Sequence, residues 1–234
     1  MNGFRIRPAR ATEAETLANT HYALYQRRYF DPNARGPNGE AYGGRYGVQY
    51  PQLRPDAQGK GGEEKALFEG YWSGFFDKPK NLCLVAETNE GQMLGFIKGS
   101  TGAPPSDVFS AMATRGGQSP RELGSIYIMP QAQRKGVGLG LTAAFAANLA
   151  EAGADSMVTR CWAGNDSPQF FQRLGGQMLG DCPIGVEYAC YATGQRRVQP
   201  FTIDGVMLEW QGERFDQLKQ RGQKIMANRN GLGG

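Results

Sequence analysis

A strand, a glycine-rich turn and a helix follow one another near the middle of this chain, and they constrain its fold most. Residues 122–130 read Glu-Leu-Gly-Ser-Ile-Tyr-Ile-Met-Pro, an apolar strand pattern that ends at a proline. Residues 133–141 read Gln-Arg-Lys-Gly-Val-Gly-Leu-Gly-Leu, and an alanine-rich run to about residue 150 follows them. Alanine has the highest helix propensity, so this run predicts a helix directly after the turn.

The three glycines of this turn, Gly136, Gly138 and Gly140, predict an anion-binding site at the start of the helix. The first N–H groups of a helix have no intrahelical partner and lie at the positive end of its dipole. Glycine has no side chain, so a phosphate can approach the main chain closely. Residues 133–135 add amide and cationic donors just before the glycines. We therefore expect a pyrophosphate group to bind here.

Two common nucleotide-binding loops do not fit this turn. A Walker loop requires G-x-x-x-x-G-K-[ST], whereas Lys135 precedes the glycines here. A dinucleotide fingerprint requires G-x-G-x-x-G near the first strand of a βαβ unit. The glycines of this chain instead alternate strictly and lie past its middle. An NAD-dependent oxidoreductase is thus a distant alternative.

The turn resembles the Q/R-x-x-G-x-G/A signature of the GNAT superfamily of acyl-CoA N-acyltransferases. Gln133, Gly136 and Gly138 match that signature. A second block supports the resemblance: an apolar strand pattern over 156–161 is followed by Asn165 and a helix that carries Phe171. The resemblance covers roughly residues 82–210, and residues 4–29 fit the opening strand and helix of the family.

The resemblance implies a single GNAT domain over residues 1–234, of the α/β (α+β layered) class. Its centre would be a mixed, mostly antiparallel twisted sheet of about seven strands, flanked by helices. The residues themselves predict a β-hairpin from 81–87 and 93–99. They also predict a Gly/Pro/Tyr-rich insertion loop at 31–62 after the first helix, and a C-terminal helix and tail at 212–234.

The resemblance further implies acetyl-CoA (coenzyme A) as the cofactor and N-acetyltransfer as the activity. The acetyl group would pass directly, in a ternary complex, to the primary amine of a small molecule, with detoxification or antibiotic resistance as candidate roles. Two alternatives stay open, a protein or peptide N-acetyltransferase and a non-catalytic acyl-CoA-binding module.

The same resemblance places the cofactor on the signature strand and the glycine turn. The backbone of residues 126–128 would hold the pantetheine arm, and the amides of residues 134–140 would bind the phosphates. The residues expected to contact the cofactor are Ile126, Tyr127, Ile128, Gln133, Arg134, Lys135, Gly136, Val137, Gly138, Leu139, Gly140, Asn165 and Phe171.

Glu122 is the candidate general base, because many family members place a catalytic glutamate at the start of this strand. The alternatives are a solvent-exposed glutamate or a pair with Arg121, and Glu87 is the second candidate base. Phe171 stands where the family often has a tyrosine that serves as general acid, and a phenyl ring cannot donate a proton. Tyr127 is a candidate replacement; Phe171 would pack against the pantetheine or the core.

Aromatic residues near the insertion are candidates for binding the acceptor. Tyr42, Tyr46 and Trp72 would contact a cationic or ring-bearing amine through cation–π interactions. Anchoring of the insertion or a dimer contact explains these tyrosines equally well. The single histidine, His21, is more often a packing or surface residue on such a helix than a catalytic base.

Composition excludes several other classes. A net charge of +4 and a pI of about 8.9 are too weakly basic for a nucleic-acid-binding protein. No run approaches the roughly 20 apolar residues of a membrane helix. Charges near the amino terminus leave no room for the apolar core of a signal peptide, so we expect a cytoplasmic location. Four cysteines without a CxxC pair and one histidine predict no metal site, and a homodimer is compatible with the sequence.

Overall fold

The computed structural model describes residues 3–29, 61–103, 119–190 and 197–227. The strands are β1 (Phe4–Pro8), β2 (Asn81–Thr88), β3 (Met93–Ser100), β4 (Pro120–Ile128), β5 (Ser156–Trp162), β6 (Gln177–Asp181), β7 (Ile184–Cys190), β8 (Arg197–Ile203) and β9 (Gly205–Gln211). The α-helices are α1 (Ala14–Tyr29), α2 (Gly61–Ser73), α3 (Val137–Glu151), α4 (Ser167–Arg173) and α5 (Glu213–Ala227).

Seven of these strands form one open sheet in the order β1-β2-β3-β4-β5-β9-β6. Only β4 and β5 pair in parallel within it, and α3 makes the crossover between them. Strands β7 and β8 form a separate antiparallel hairpin. The prediction of a mixed, mostly antiparallel sheet of about seven strands flanked by helices is confirmed.

The alternation of side chains along β2 shows how the sheet is covered. Leu84 and Ala86 point into a core built with α3 and α5. Cys83 and Val85 point to the opposite face, where they pack with residues of α1 and α2. Successive strand residues face opposite sides, so a strand buried on both faces reads as one apolar run. Helices α1 and α3 therefore lie on opposite faces of the sheet.

Helices α3 and α5 cross closely because both carry small residues at the contact. A Cβ atom on Gly222 of α5 would lie 2.0 Å from the carbonyl oxygen of Ala143 in α3. Phe215 and Leu218 of α5 are buried in the same core. The predicted C-terminal helix thus contributes apolar side chains to the domain core.

The sequence patterns missed two strands and shifted some boundaries. β6 is largely exposed and has no apolar alternation, and β8 contains Pro200, which argues against a strand. Helix α2 begins at Gly61, so the last two residues assigned to the insertion loop are helical. Residues 31–60 and 228–234 lie outside the described part of the chain, as do Tyr42 and Tyr46.

Candidate active site

Strands β4 and β5 pair only over their first halves. Their parallel register runs from Pro120 opposite Ser156 to Leu123 opposite Thr159. Beyond that point both strands continue, and residues of each line the same cavity. The hydroxyl of Thr159 donates to the carbonyl oxygen of Leu123 at 2.9 Å, where the pairing ends. The two strands thus form a slot open to a ligand.

A β-bulge in β4 lies at the start of this slot. Lys98 of β3 pairs with Ser125, but the next residue, Gly99, pairs with Leu123, so Gly124 is the extra residue. Bulges bend a strand and increase its twist, which fits the divergence of β4 from β5. Glycine is needed at position 99, because a Cβ atom there would lie 2.3 Å from the carbonyl oxygen of Glu122.

Gly136 ends the glycine turn in a left-handed conformation, with a φ of +83°, and forms the N-cap of α3. Arg134 also has a positive φ, at +61°. Gly136 accepts the first helical hydrogen bond from the N–H of Gly140 at 2.9 Å. The N–H groups of residues 137–139 therefore belong to the first helical turn, where no intrahelical acceptor exists.

The other two glycines of the turn have packing roles that the sequence did not indicate. A Cβ atom on Gly138 would lie 3.1 Å from the ring of Phe170, and one on Gly140 would lie 3.0 Å from the ring of Phe4. Gly140 is buried and its N–H is used within the helix. The expectation that its amide binds a phosphate is therefore wrong for this conformation.

One cavity of about 610 Å³ joins the slot between β4 and β5 to the amino terminus of α3. Ten of the predicted cofactor residues line it, namely Ile126, Tyr127, Ile128, Gln133, Arg134, Gly136, Gly138, Leu139, Asn165 and Phe171. Lys135 is exposed beside it, and Val137 and Gly140 are buried behind it. A volume of this size is typical of small-molecule and cofactor sites.

Two polar side chains shape the ends of this cavity. Gln133 donates from Nε2 to the carbonyl oxygen of Ile128 at 3.3 Å, which ties the turn to the end of β4. Asn165 accepts from the N–H of Ser167 at 2.8 Å, which stabilises the start of α4. Phe171 of α4 is buried and meets Trp210 edge to face, with ring centroids 5.7 Å apart. Packing in the core, one of the two roles expected for it, is therefore observed.

Glu122 does not line the cavity, although its ion-pair partner does. Its Oε1 accepts from Nε of Arg160 on β5 at 3.0 Å, and both side chains are largely buried. Arg121, the partner considered from sequence, donates instead to the carbonyl oxygen of Thr101 at 2.6 Å. Arg160 is thus the member of the pair that reaches the cavity, and the role of Glu122 as a base stays a prediction.

Glu87 is held away from the cavity by two arginines of β1. Its carboxylate accepts from Nε of Arg5 at 2.6 Å and from Nη2 of Arg7 at 2.7 Å. These hydrogen bonds, that from Arg7 foremost, lower the pKa of Glu87 against the opposing effect of burial. Arg7 also pairs with Glu13. This network joins β1, β2 and the start of α1, so Glu87 has a structural role.

Tyr127 lines the cavity with its ring held by an aromatic cluster. It stacks on Phe96 with ring centroids 5.5 Å apart, and the ring of His21 lies 4.6 Å away. The indole of Trp72 donates to Nδ1 of His21 at 3.2 Å. Burial lowers the pKa of His21 to about 3, so the ring is neutral and carries its proton on Nε2. His21 is a packing residue, as its sequence context favoured.

Trp72 was expected from sequence to contact the acceptor, and the same contacts correct that expectation. Its side chain has no exposed surface and belongs to the core between α1, α2 and the sheet. It does not line the cavity, so it cannot contact an acceptor directly in this structure. It supports Tyr127 through His21 instead.

Four cationic residues near the cavity were missed from sequence. Arg27, Arg160 and Arg173 line it, and Lys98 lies on β3 opposite the lining residue Ser125. Burial lowers the pKa of Lys98 to about 8, and its Nζ donates to the hydroxyl of Tyr71 at 2.9 Å. A lysine directly after Phe96 and Ile97 in a buried strand was the available signal for this residue.

Within the described ranges, no group of three or more histidine, cysteine, aspartate or glutamate side chains is arranged to hold a metal ion. Among the same residues, no helix combines the length and apolar character that crossing a membrane requires.

Comparison with known proteins agrees with this architecture. Residues 100–182 match the model of the FR47-like protein family. A structure of a candidate acetyltransferase from Acinetobacter baylyi ADP1 superposes with a TM-score of 0.52 at 15% identity, covering 91% of this chain and 94% of that chain. No curated protein sequence matches the chain significantly.

Two further structures contain the cofactor expected from sequence. YncA, a candidate acetyltransferase from Salmonella typhimurium solved with acetyl-CoA, has a TM-score of 0.50 at 18% identity over 89% of this chain and 94% of that chain. A GNAT superfamily phosphinothricin acetyltransferase from Sinorhizobium meliloti, in complex with AcCoA, has a TM-score of 0.50 at 17% identity over 89% and 88%. The chain therefore has the fold of these acetyltransferase structures, and the FR47-like match includes the glycine turn.

Proposed function

We propose that this protein is an acetyl-CoA-dependent N-acetyltransferase that acts on the primary amine of a small molecule. The observation that carries the proposal is the single cavity that joins the β4–β5 slot to the amino terminus of α3. A slot bordered by strand backbone suits an extended chain, and a helix amino terminus suits phosphates. Acetyl-CoA contains both kinds of group, an extended pantetheine arm and a set of phosphates.

The residues present fit that cofactor. The edge of β4 after Leu123 has left its pairing with β5, so its backbone groups can hydrogen-bond an amide-containing arm. The first-turn amides of α3 and the guanidinium of Arg134 provide donors for anionic oxygens. The structural relative from Sinorhizobium meliloti is a phosphinothricin acetyltransferase in complex with acetyl-CoA, and YncA was solved with acetyl-CoA. Both relatives support this cofactor, and the first supports an amine acceptor.

Acetyl-CoA supplies an acetyl group as a thioester, whose C–S bond breaks as the new C–N bond forms and whose sulfur leaves as the thiol. The protein must orient the acyl carbonyl, remove one proton from the acceptor ammonium and protonate the sulfur. The amides of β4 at the bulge are candidates for the first task. Glu122, acting through water, and Tyr127 are the candidates for the second and third tasks.

Thiol release from acetyl-CoA in the presence of small amines, amino acids, polyamines and short peptides tests the activity, with cofactor binding measured in parallel by calorimetry. We expect micromolar binding of acetyl-CoA and turnover with one class of small amine. Binding without turnover on any amine would instead support an acyl-CoA-binding module, and turnover on peptides alone would support a peptide N-acetyltransferase. Absence of cofactor binding would contradict the proposal.

Direct transfer in a ternary complex has a specific test in this chain. Cys161 of β5 lines the cavity and is largely buried, so an acetyl-cysteine intermediate is the rival pathway. We expect the Cys161→Ser variant to keep kcat within a few-fold of the wild type, and no acetylated protein to accumulate without acceptor. A covalent acetyl adduct on Cys161 by mass spectrometry would refute direct transfer. The cytoplasmic location expected from sequence stays a prediction.

A further inference from the structure

The cavity is lined by residues from both faces of the sheet. Gly136 and Gly138 belong to the turn before α3 on one face. Leu24 and Arg27 belong to α1, which covers the opposite face. If phosphates occupy the α3 side, the acceptor amine must approach from the α1 side. The side chains on the α1 side therefore decide which amines can bind.

Two arginines line the cavity on that side. Arg27 is exposed and lies on α1, less than two turns after His21, whose ring contacts Tyr127 of the cavity wall. Arg160 lies on β5 next to Cys161, which points into the α3 core. Because neighbouring strand residues face opposite sides, Arg160 points to the α1 side.

The other charged groups near this wall leave cationic side chains in excess over acidic ones. Lys98 lies on the same α1 side of β3, next to Phe96 in the alternation of that strand. Glu122 is an acid beside the wall, but its carboxylate binds Nε of Arg160 and does not line the cavity. Among the described residues that line the cavity, Asp166 is the single acid, against four arginines.

We propose that the acceptor is a small aminocarboxylate, whose carboxylate is bound by Arg160 and Arg27. A guanidinium carries five N–H donors in a plane and binds carboxylates in a bidentate manner. Glu122 is then a positioning residue, since it holds Nε of Arg160 and fixes the direction of its plane. This inference rests on the proposed function only in taking the bound aminocarboxylate to be the acetyl acceptor.

The charge distribution explains why such an acceptor suits this site. A simple diamine or polyamine would bring further positive charge to a wall that already carries Arg27 and Arg160, with Lys98 beside it. An aminocarboxylate supplies the matching negative charge. Nearby guanidinium groups also disfavour the ammonium form of the acceptor, which assists loss of the proton before attack.

Matched pairs of acceptors test the inference. We would compare kcat/KM for glycine, β-alanine, 4-aminobutyrate and the larger α-amino acids with that for the amide of each. In the wild type we expect at least one carboxylate to exceed its amide by about tenfold or more, the effect of one charge-assisted interaction. Arg27→Met and Arg160→Met should each reduce that ratio. Arg214→Met, an exposed arginine of α5 outside the cavity lining, should leave it unchanged.

Two variants of Glu122 separate positioning from base catalysis. Gln retains an oxygen that accepts from Nε of Arg160 but cannot act as a base, whereas Ala removes both functions. Positioning predicts that Glu122→Gln keeps KM for the carboxylate acceptor within a few-fold of the wild type, while Glu122→Ala raises it about tenfold. Base catalysis would show separately, as a fall in kcat for Glu122→Gln with loss of the acidic limb of the pH profile. A KM that rises equally in both variants, or in neither, would refute the positioning role.

A binding measurement keeps this inference separate from the proposed function. Calorimetry of the same carboxylate–amide pairs, with and without CoA, requires no turnover. Preferential binding of the carboxylates, lost in Arg27→Met and Arg160→Met, would support the inference even if acetyl-CoA fails to bind and the proposed function is wrong. The inference would be overturned if amides and carboxylates were used or bound equally. It would also be overturned if the carboxylate-to-amide ratio were unchanged in both arginine variants, or if only peptides were turned over.

Discussion

Gly136 and Gly153 have the same left-handed φ angle at the two ends of one helix. Each has a φ of +83°, and neither would bring a Cβ atom within 4 Å of another group. Gly136 precedes α3 and lines the cavity, whereas Gly153 follows α3 and does not. A substitution at either position therefore tests left-handed strain, but only one tests the site.

We expect Gly136→Ala and Gly153→Ala to lower the free energy of unfolding by a similar amount, about 1–2 kcal/mol, from left-handed strain. Only Gly136→Ala should weaken acetyl-CoA binding, by about tenfold or more, because relief of the strain moves the first amides of α3. Urea denaturation and calorimetry measure the two effects. Equal affinities in the two variants would show that the turn does not bind the cofactor.

His21 makes stability depend on pH because it is buried and neutral. Its pKa is about 3 in the folded protein and near 6.5 when unfolded, owing mainly to burial. Between these values the unfolded chain binds the additional proton, so stability is complete above pH 6.5 and is lost as the pH falls. The lowered pKa values of Glu13 and Glu87 act in the same direction, but below their ordinary value of 4.5.

Urea denaturation between pH 7 and pH 5 isolates the histidine contribution. The wild type should lose about 2 kcal/mol of unfolding free energy over this range, at 1.36 kcal/mol per unit below 6.5. The His21→Asn variant, which keeps an acceptor for Trp72, should be less stable at pH 7 but should lose much less on acidification. Parallel curves for the two proteins would contradict the assignment of a buried neutral histidine.

At the scale of elements, the contact between α3 and α5 shows how closely two helices approach. Gly222 lies against the backbone of Ala143, and the core around it contains Phe215 and Leu218. Gly70 of α2 is also a helical glycine, but a Cβ atom there would meet nothing within 4 Å. The two glycines therefore differ in whether a methyl group has room.

The Gly222→Ala and Gly70→Ala variants should change stability in opposite directions. Gly70→Ala should raise the unfolding free energy by roughly 0.5–1 kcal/mol, the difference in helix propensity. Gly222→Ala should lower it by about 1–3 kcal/mol, because α5 must shift away from α3. Chemical denaturation of both variants checks this. A stabilised Gly222→Ala variant would show that the helices do not approach this closely.

The whole domain should respond to the proposed cofactor, because the cavity is built from β4, β5, α1, α3 and α4 together. A ligand that binds only the folded state stabilises it by about 2.7 kcal/mol at a concentration of 100 times Kd. For a domain of this size, each kcal/mol corresponds to roughly 2–4 °C in Tm. Acetyl-CoA should thus raise Tm by about 5–10 °C.

Differential scanning calorimetry with acetyl-CoA, CoA and adenosine alone measures this linkage. Acetyl-CoA and CoA should give similar shifts, and adenosine, which lacks the phosphates and the pantetheine arm, should give little. A shift with adenosine equal to that with CoA would contradict binding through the slot and the helix terminus.

Local sequence patterns correctly predicted the strand–turn–helix unit and the hairpin of β2 and β3, and the family resemblance correctly predicted a mostly antiparallel sheet. Apolar periodicity and glycine conformation act over a few residues, so such features can be read from the chain directly. The ten cavity-lining residues predicted for the cofactor all lie in two such local blocks, 126–139 and 165–171. Strand β8 was missed because Pro200 argues locally against a strand. In the structure β8 nevertheless pairs with its neighbour β7.

The sequence by itself therefore determined the fold class and the position of the glycine turn, because the motifs that indicate both consist of residues close together in the chain. Tertiary structure alone decided that Glu122 pairs with Arg160 rather than Arg121, and that Trp72 supports His21 across 51 residues. It also decided that Gly140 packs on β1. These contacts depend on sheet register and helix placement, which the whole core sets, so no local pattern encodes them.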